Sequence, residues 1–199
     1  MTKYTVLLRV IAGSLKGRRL KAPTWDGCRP TSDKLRETLF NVLAPRIAGA
    51  RVLDGYAGTG AIGIEALSRG ARAVTFVDRD RRARALIADN LARCEVPSGC
   101  AIIREHFAVV PVADGGDVVD VFDDIFDIVL LDPPYDEPPD LVIPIAAGLL
   151  AADGVLVLEH AKRRSAPLSA SGVARSRQIV SGDSMLSFYE KLEGTRSPF

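Results

Sequence analysis

From Arg51 to about residue 160, short runs of strand formers alternate with segments whose apolar side chains recur every three or four positions. This alternation constrains the fold more than any other feature of the chain. Strands that alternate with helices build a doubly wound, mostly parallel sheet, with helices on both faces and ligands at the strands' carboxyl ends. The pattern predicts strands over 51–54, 73–78, 101–103, 126–131 and 154–159. Phe126-Asp127-Ile128-Val129-Leu130-Leu131 is nearly all apolar, as a strand buried on both sides must be. Helices are predicted over 61–68, closed by Gly70, and over 80–94, with Ala83, Leu86, Ile87, Leu91 and Cys94 facing the core. A further helix falls within 139–151, where Pro144 disturbs the first turns. The tail reads as two strands, 173–180 and 185–192, joined at Gly182-Asp183, so this edge of the sheet is expected to be antiparallel.

The segment before Arg51 is different in kind. Thr31 or Ser32 can cap a helix with Leu35, Leu39, Val42 and Leu43 on one face, ending near Pro45. Upstream, Leu7–Ile11 and Arg18–Lys21 flank Gly13 and Gly17 and predict a small hairpin of basic strands. The expected division is a basic β-hairpin appendage over 1–30 and a sheet domain over 31–199. Formal net charge is only +1, yet residues 1–50 hold ten Lys and Arg against three acids, whereas residues 105–160 hold thirteen acids and no Lys or Arg. Local charge density sets attraction to phosphate, so the basic end suits a polyanion. Arg9, Lys16, Arg18, Arg19, Lys21, Arg29 and Lys34 are the candidate cations for binding such a polyanion, a nucleic acid among them.

Several classes are excluded. No run of 18 apolar residues occurs, and the stretch before Arg9 is too short for a signal peptide. Cys28, Cys94 and Cys100 have no CxxC spacing, and with His106 and His160 they make neither a metal site nor a disulfide framework. Free thiols in a reducing cytoplasm are the expectation.

The loop after the first strand reads Asp54-Gly55-Tyr56-Ala57-Gly58-Thr59-Gly60. Its glycines let backbone approach a ligand, and the following helix offers free N–H groups. Asp78, ending the second strand, can accept both hydrogen bonds of a ribose diol. These features indicate an adenosine-type cofactor without saying which. Gly58–Gly63 also fits G-x-G-x-x-G with an acid about 20 residues on, so a dinucleotide stays open.

The loop after the fourth strand, Asp132-Pro133-Pro134-Tyr135, narrows the choice. The exocyclic amine of a base delocalises its lone pair into the ring. Two acceptors, the Asp132 carboxylate and the Pro133 carbonyl held by its proline neighbours, can take its two N–H bonds and turn the lone pair toward a methyl donor. Tyr135 can stack on the base, worth about 1–3 kcal/mol at typical sites.

Asp54–Gly60 together with Asp132–Tyr135 resembles the class I, Rossmann-like S-adenosylmethionine-dependent methyltransferases that modify exocyclic amines. Arg9-Val10-Ile11-Ala12-Gly13-Ser14, Lys16–Leu20, Arg29–Leu43 and Gly60–Ala71 resemble, more narrowly, the RsmD family. The likeness runs from about residue 8 to 191. It implies an S-adenosylmethionine-dependent methyltransferase domain that methylates N2 of one guanine, position 966, in bacterial 16S ribosomal RNA, within a small-subunit particle. By the same resemblance Asp54, Tyr56, Gly58 and Gly60 would hold the methionine part of the cofactor, Asp78 the ribose, and Arg79 would lie beside the adenine. Asp132, Pro133 and Tyr135 would hold the guanine. Tyr56 stands where relatives often have Phe, and Arg104-Glu105-His106-Phe107 occupies the stretch where many superfamily members place an acid near the adenine amine, so no adenine contact is assigned there; His106 is expected to be a structural or loop residue. A DNA adenine-N6 methyltransferase would share the fourth-strand loop but needs a larger DNA-reading region. A protein-glutamine amide methyltransferase would have no use for the basic end. A nicotinamide oxidoreductase would leave Asp132–Tyr135 without a purpose, and a non-enzymatic RNA-binding protein would not need the glycine loop.

Overall fold

A computed structural model describes residues 8–25, 31–96, 98–107, 125–134 and 137–192. The elements are, in chain order, helix α1 (Asp33–Ile47), β1 (Arg51–Asp54), α2 (Ala61–Ser68), β2 (Ala73–Val77), α3 (Arg81–Arg93), β3 (Cys100–Ile103), β4 (Phe126–Leu131), α4 (Pro139–Gly148), β5 (Leu150–Ala161), β6 (Ser169–Ala170), β7 (Val173–Ser181) and β8 (Ser184–Lys191).

The strands form one sheet in the order β3-β2-β1-β4-β5-β8-β7-β6. From β3 to β5 every pairing is parallel. From β5 outward the pairings are antiparallel. The chain is thus an α/β protein with the expected antiparallel C-terminal edge. Chain order reverses at β1, which lies between β2 and β4, and a crevice opens at such a switch point.

Side-chain alternation along the strands makes two cores. Val52, Ile128, Leu130, Val155 and Val157 face α1, α2 and α3, meeting Leu39, Phe40, Ile64 and Ile87. Leu53, Val129, Leu131, Leu156 and Leu158 face α4, meeting Val142, Ile143 and Ala146. Gly63 allows α2 to lie close on the sheet, because a Cβ there would sit 2.2 Å from the Phe76 ring.

The helix starts follow local chemistry. Ser32 caps α1, its hydroxyl accepting from the Leu35 N–H at 3.2 Å. Asp80 caps α3 by accepting from the Arg82 N–H at 2.8 Å. Instead of ending near Pro45, α1 continues to Ile47. Arg46 in its last turn donates to the Asp153 carbonyl at 2.6 Å and to Glu190 at 2.8 Å, anchoring that turn to the sheet.

Over residues 8–20 the predicted hairpin is reduced to a single antiparallel bridge, Arg9 to Arg19, around a turn in which the Gly17 N–H donates to the Val10 carbonyl at 2.9 Å. Its apolar residues Leu8, Val10 and Leu20 are buried in the same core as α1 and α2. The buried Glu65 of α2 accepts the Ile11 and Ala12 N–H groups at 2.7 and 3.0 Å and the Arg69 Nε at 2.7 Å. Ser68 receives the Leu15 N–H at 2.9 Å, and Asn90 of α3 exchanges hydrogen bonds with the Lys21 backbone. The segment needs these side chains because its backbone has few ladder partners of its own.

Candidate functional site

The expected site residues gather at the carboxyl ends of β1, β2 and β4. Asp54 ends β1 and is buried, and its Oδ2 accepts from the Gly63 N–H at 3.0 Å. Burial first raises its pKa to about 7, and the negative charge of Asp78 adds to the rise, while the Gly63 hydrogen bond opposes it. The loop between β1 and α2 turns through Gly58 and Gly60, with φ of 53° and 75°. Gly60 is also the N-cap of α2 and offers no side chain, so the backbone at the start of that helix is left uncovered. Asp78, just past β2, braces this loop: its Oδ2 accepts from the Gly58 N–H at 2.9 Å and its Oδ1 from the Asp80 N–H at 2.8 Å. Asn90 holds the other side of the loop by donating to the Thr59 carbonyl at 2.9 Å.

Tyr56 packs its ring on Phe107, with centroids 5.6 Å apart. Its hydroxyl faces the Glu137 carboxylate, and burial together with that charge pushes the phenol's pKa up. His106 approaches the same carboxylate, with Nδ1 4.0 Å from Oε1. The exposed Arg79 lies close enough to Tyr56 for its charge to be felt there.

Asp132 follows β4 and Pro133 is buried beside it. Burial, with Glu159 and Asp54 as negative neighbours, holds the Asp132 carboxyl well above the usual carboxylate range, while a hydrogen bond from Thr31 works against that rise. Asp54, Asp132 and Glu159 line one cleft, whose wall is otherwise mostly apolar: Leu39 of α1, Ile62 of α2, Val157 of β5 and Leu186 of β8. Sequence reading gives Glu159 and Glu137 no role at the site, and Thr31 only that of a candidate helix cap, which the structure gives to Ser32. The signal for Glu159 was present, since it lies near the end of β5 as Asp132 follows β4.

Of the remaining candidates, Tyr135 and Arg29 lie outside the described residues. The basic residues divide into two sets. Arg18 pairs with Glu95 at 2.9 Å, Lys21 with Asp89, and Arg9 with Asp33 at 3.5 Å. Lys16, Arg19 and Lys34 are exposed. None of the six described cations lines the cleft.

This arrangement can seat a ligand that carries hydroxyl groups and positive charge over the glycine loop, and present a planar amine at Asp132. Gly55 tightens the wall between them, because a Cβ there would meet Leu131 at 2.4 Å.

Comparison with known proteins gives a consistent set of likenesses. The family model described as "Conserved hypothetical protein 95" matches residues 8–190. Ribosomal RNA small subunit methyltransferase D of Escherichia coli K12 is 33% identical over 189 residues, which cover 92% of this chain and 90% of that protein. A solved hypothetical protein of Thermus thermophilus is 29% identical, with a TM-score of 0.75 over 92% of this chain and 99% of that one. TrmN of the same organism, 22% identical with a TM-score of 0.63, shares the fold over 79% of this chain and 48% of its own.

Proposed function

The chain belongs to the conserved hypothetical protein 95 family, a family of ribosomal RNA methyltransferases, and from that membership together with the loop at Asp132 we propose that it methylates N2 of guanine 966 in 16S ribosomal RNA, with S-adenosylmethionine as donor. The observation that carries the reading is the placement of Asp132 and Pro133 at the end of β4, beside the glycine loop that follows β1.

The donor set suits S-adenosylmethionine. Asp54 and Asp78 repel each other, and a cationic ligand with hydroxyl groups relieves that repulsion. A nicotinamide dinucleotide would bring a doubly negative pyrophosphate against the same two carboxylates. When bound, the donor supplies an electrophilic methyl group on a sulfonium. Asp54, Tyr56, Gly58 and Gly60 hold its amino-acid part, Asp78 its ribose, and Arg79 lies beside its base.

The rest is positioning. The Asp132 carboxylate and the Pro133 carbonyl accept the two N–H bonds of the guanine amine and turn its lone pair toward the methyl. The proton leaves with or after transfer, through Asp132 to water. Tyr135 stacks on the flipped base, which costs a few kcal/mol to unstack if it was paired. The segment over 1–30 contributes phosphate contacts, with exposed Lys16 and Arg19 well placed among its described residues. No helix among the described residues is long and apolar enough to cross a membrane, and a ribosomal substrate puts the work in the cytoplasm.

The test uses purified protein, labelled S-adenosylmethionine and small subunits from cells that lack this gene, with the modified nucleotide mapped by mass. One methyl on N2 of one guanine is expected. A methyl on an adenine or on a protein amide overturns the reading.

A further inference from the structure

We propose that Glu159 reads the N1–H of the target guanine, so that Asp132 and Glu159 together select guanine over purines that lack that proton. The inference rests on the guanine-N2 reading above and adds the residue that chooses the base.

The argument begins in the strand register. β4 and β5 run parallel with Leu131 opposite Leu158, so Asp132 and Glu159 are the next pair of positions on neighbouring strands. Parallel neighbours lie about 4.8 Å apart, so the two carboxyl groups leave the sheet side by side. Side chains alternate along a strand, and Leu130 and Val157 both face α1 and α2. Two residues further on, Asp132 and Glu159 point to that same side, where they line the cleft with Leu39 and Ile62. Glu159 also borders the hollow behind Pro133 and Pro134. It therefore flanks both sides of the loop that grips the amine.

A guanine that presents its amine to Asp132 necessarily presents N1–H beside it. The two donors are adjacent on one edge, and two adjacent acceptors match them. Adenine or 2-aminopurine puts a bare N1 lone pair at that point, which a carboxylate repels. A site built to accept a proton rejects strongly an analogue that turns a lone pair toward the acceptor instead. The electrostatics agree: the Glu159 charge disfavours the Asp132 carboxylate, and two N–H donors relieve that.

The test compares RNA carrying guanine with RNA carrying 2-aminopurine at the target. Both have the 2-amino group, but only guanine has N1–H. For the wild-type protein kcat/KM should be lower on 2-aminopurine by at least about tenfold. The Glu159→Gln variant has an amide N–H that can donate to a bare N1. It should lose activity on guanine while the guanine-to-2-aminopurine ratio falls by about tenfold or more. S-adenosylhomocysteine affinity, read on the same sample, should match the wild type, and Tm should not fall.

Equal use of both bases by the wild type overturns the inference without any variant. So does a Glu159→Gln protein whose activity falls equally on both bases, since a merely structural role would do that. A wild-type protein that places no methyl on guanine N2 overturns the parent reading instead.

Discussion

Asp54→Asn should make the cofactor-free protein more stable at pH 8 and no more stable at pH 4. The wild-type carboxyl is buried at the end of β1, and its pKa stands at about 7 against an ordinary 3.8. A folded-state pKa above the unfolded one contributes stability that is fully present below pH 3.8 and lost as pH rises through 7. The interval corresponds to about 4 kcal/mol at 1.36 kcal/mol per pH unit. The amide cannot ionise, so the variant escapes this loss. It keeps an oxygen for the Gly63 N–H, and at pH 4 the wild-type carboxyl is neutral as well, so the two proteins differ little there. The variant should thus match wild type closely at pH 4 and be about 4 kcal/mol more stable at pH 8. That gain is about 8–16 °C in Tm for a chain of this size. Urea unfolding across pH 4–8 measures it, with unchanged m-values as the control for two-state behaviour. The same variant should bind S-adenosylhomocysteine poorly, giving up function for stability. A difference between variant and wild type that is constant across that pH range would refute the reasoning, because the Asp54 carboxyl would then not be titrating in its buried position.

Tyr135→Ala should greatly reduce methyl transfer with S-adenosylhomocysteine affinity held within a few fold, whereas Tyr135→Phe should be mild, since stacking needs the ring; equal damage from both would point to the hydroxyl instead. Replacing Lys16 and Arg19 together with Ala should weaken RNA binding and flatten its salt dependence by roughly one to two units, at about 0.7–0.9 per phosphate contact, without altering cofactor affinity. Arg18→Ala should instead loosen the turn from α3, because its partner is Glu95, and should show as faster proteolysis within residues 8–20. Glu65→Ala should cost about 3–5 kcal/mol, since it leaves Arg69 and two backbone N–H groups facing a buried site with no acceptor; urea unfolding with an unchanged midpoint would count against that role.

The elements that could be read from sequence are those decided locally. Ser32 and Asp80 cap their helices by bonds spanning two or three residues, and the apolar run of β4 carries its own burial pattern. Gly182-Asp183 sets the β7–β8 turn for the same reason. The features that escaped depend on distant partners. Nothing near Arg18 or Lys21 shows that Glu95 and Asp89 await them 77 and 68 residues along the chain. Among basic residues that look equivalent in a row, Arg18 and Lys21 therefore become tethers only once α3 is in place. Similarly, Leu8, Val10 and Leu20 read as part of a short basic hairpin, while their burial comes from α1 and α2. Helix α1 runs past Pro45 because Arg46 is held by Asp153 and Glu190, both on the far edge of the chain. Glu159 gains its meaning only from the parallel register that sets it next to Asp132.

The stitching of residues 8–21 to α2 and α3 has a consequence for the order in which the protein is built. The acceptors for Ile11 and Ala12 lie 54 and 53 residues downstream, and the side chain that holds the Lys21 backbone lies 69 residues downstream. At roughly 5–20 residues per second of synthesis, the segment waits about 3–14 s for its partners to be made. Arg18 waits longest, for Glu95 77 residues on, and Asn90, which holds the Lys21 backbone, also grips Thr59 in the glycine loop, so this segment and that loop depend on one side chain of α3.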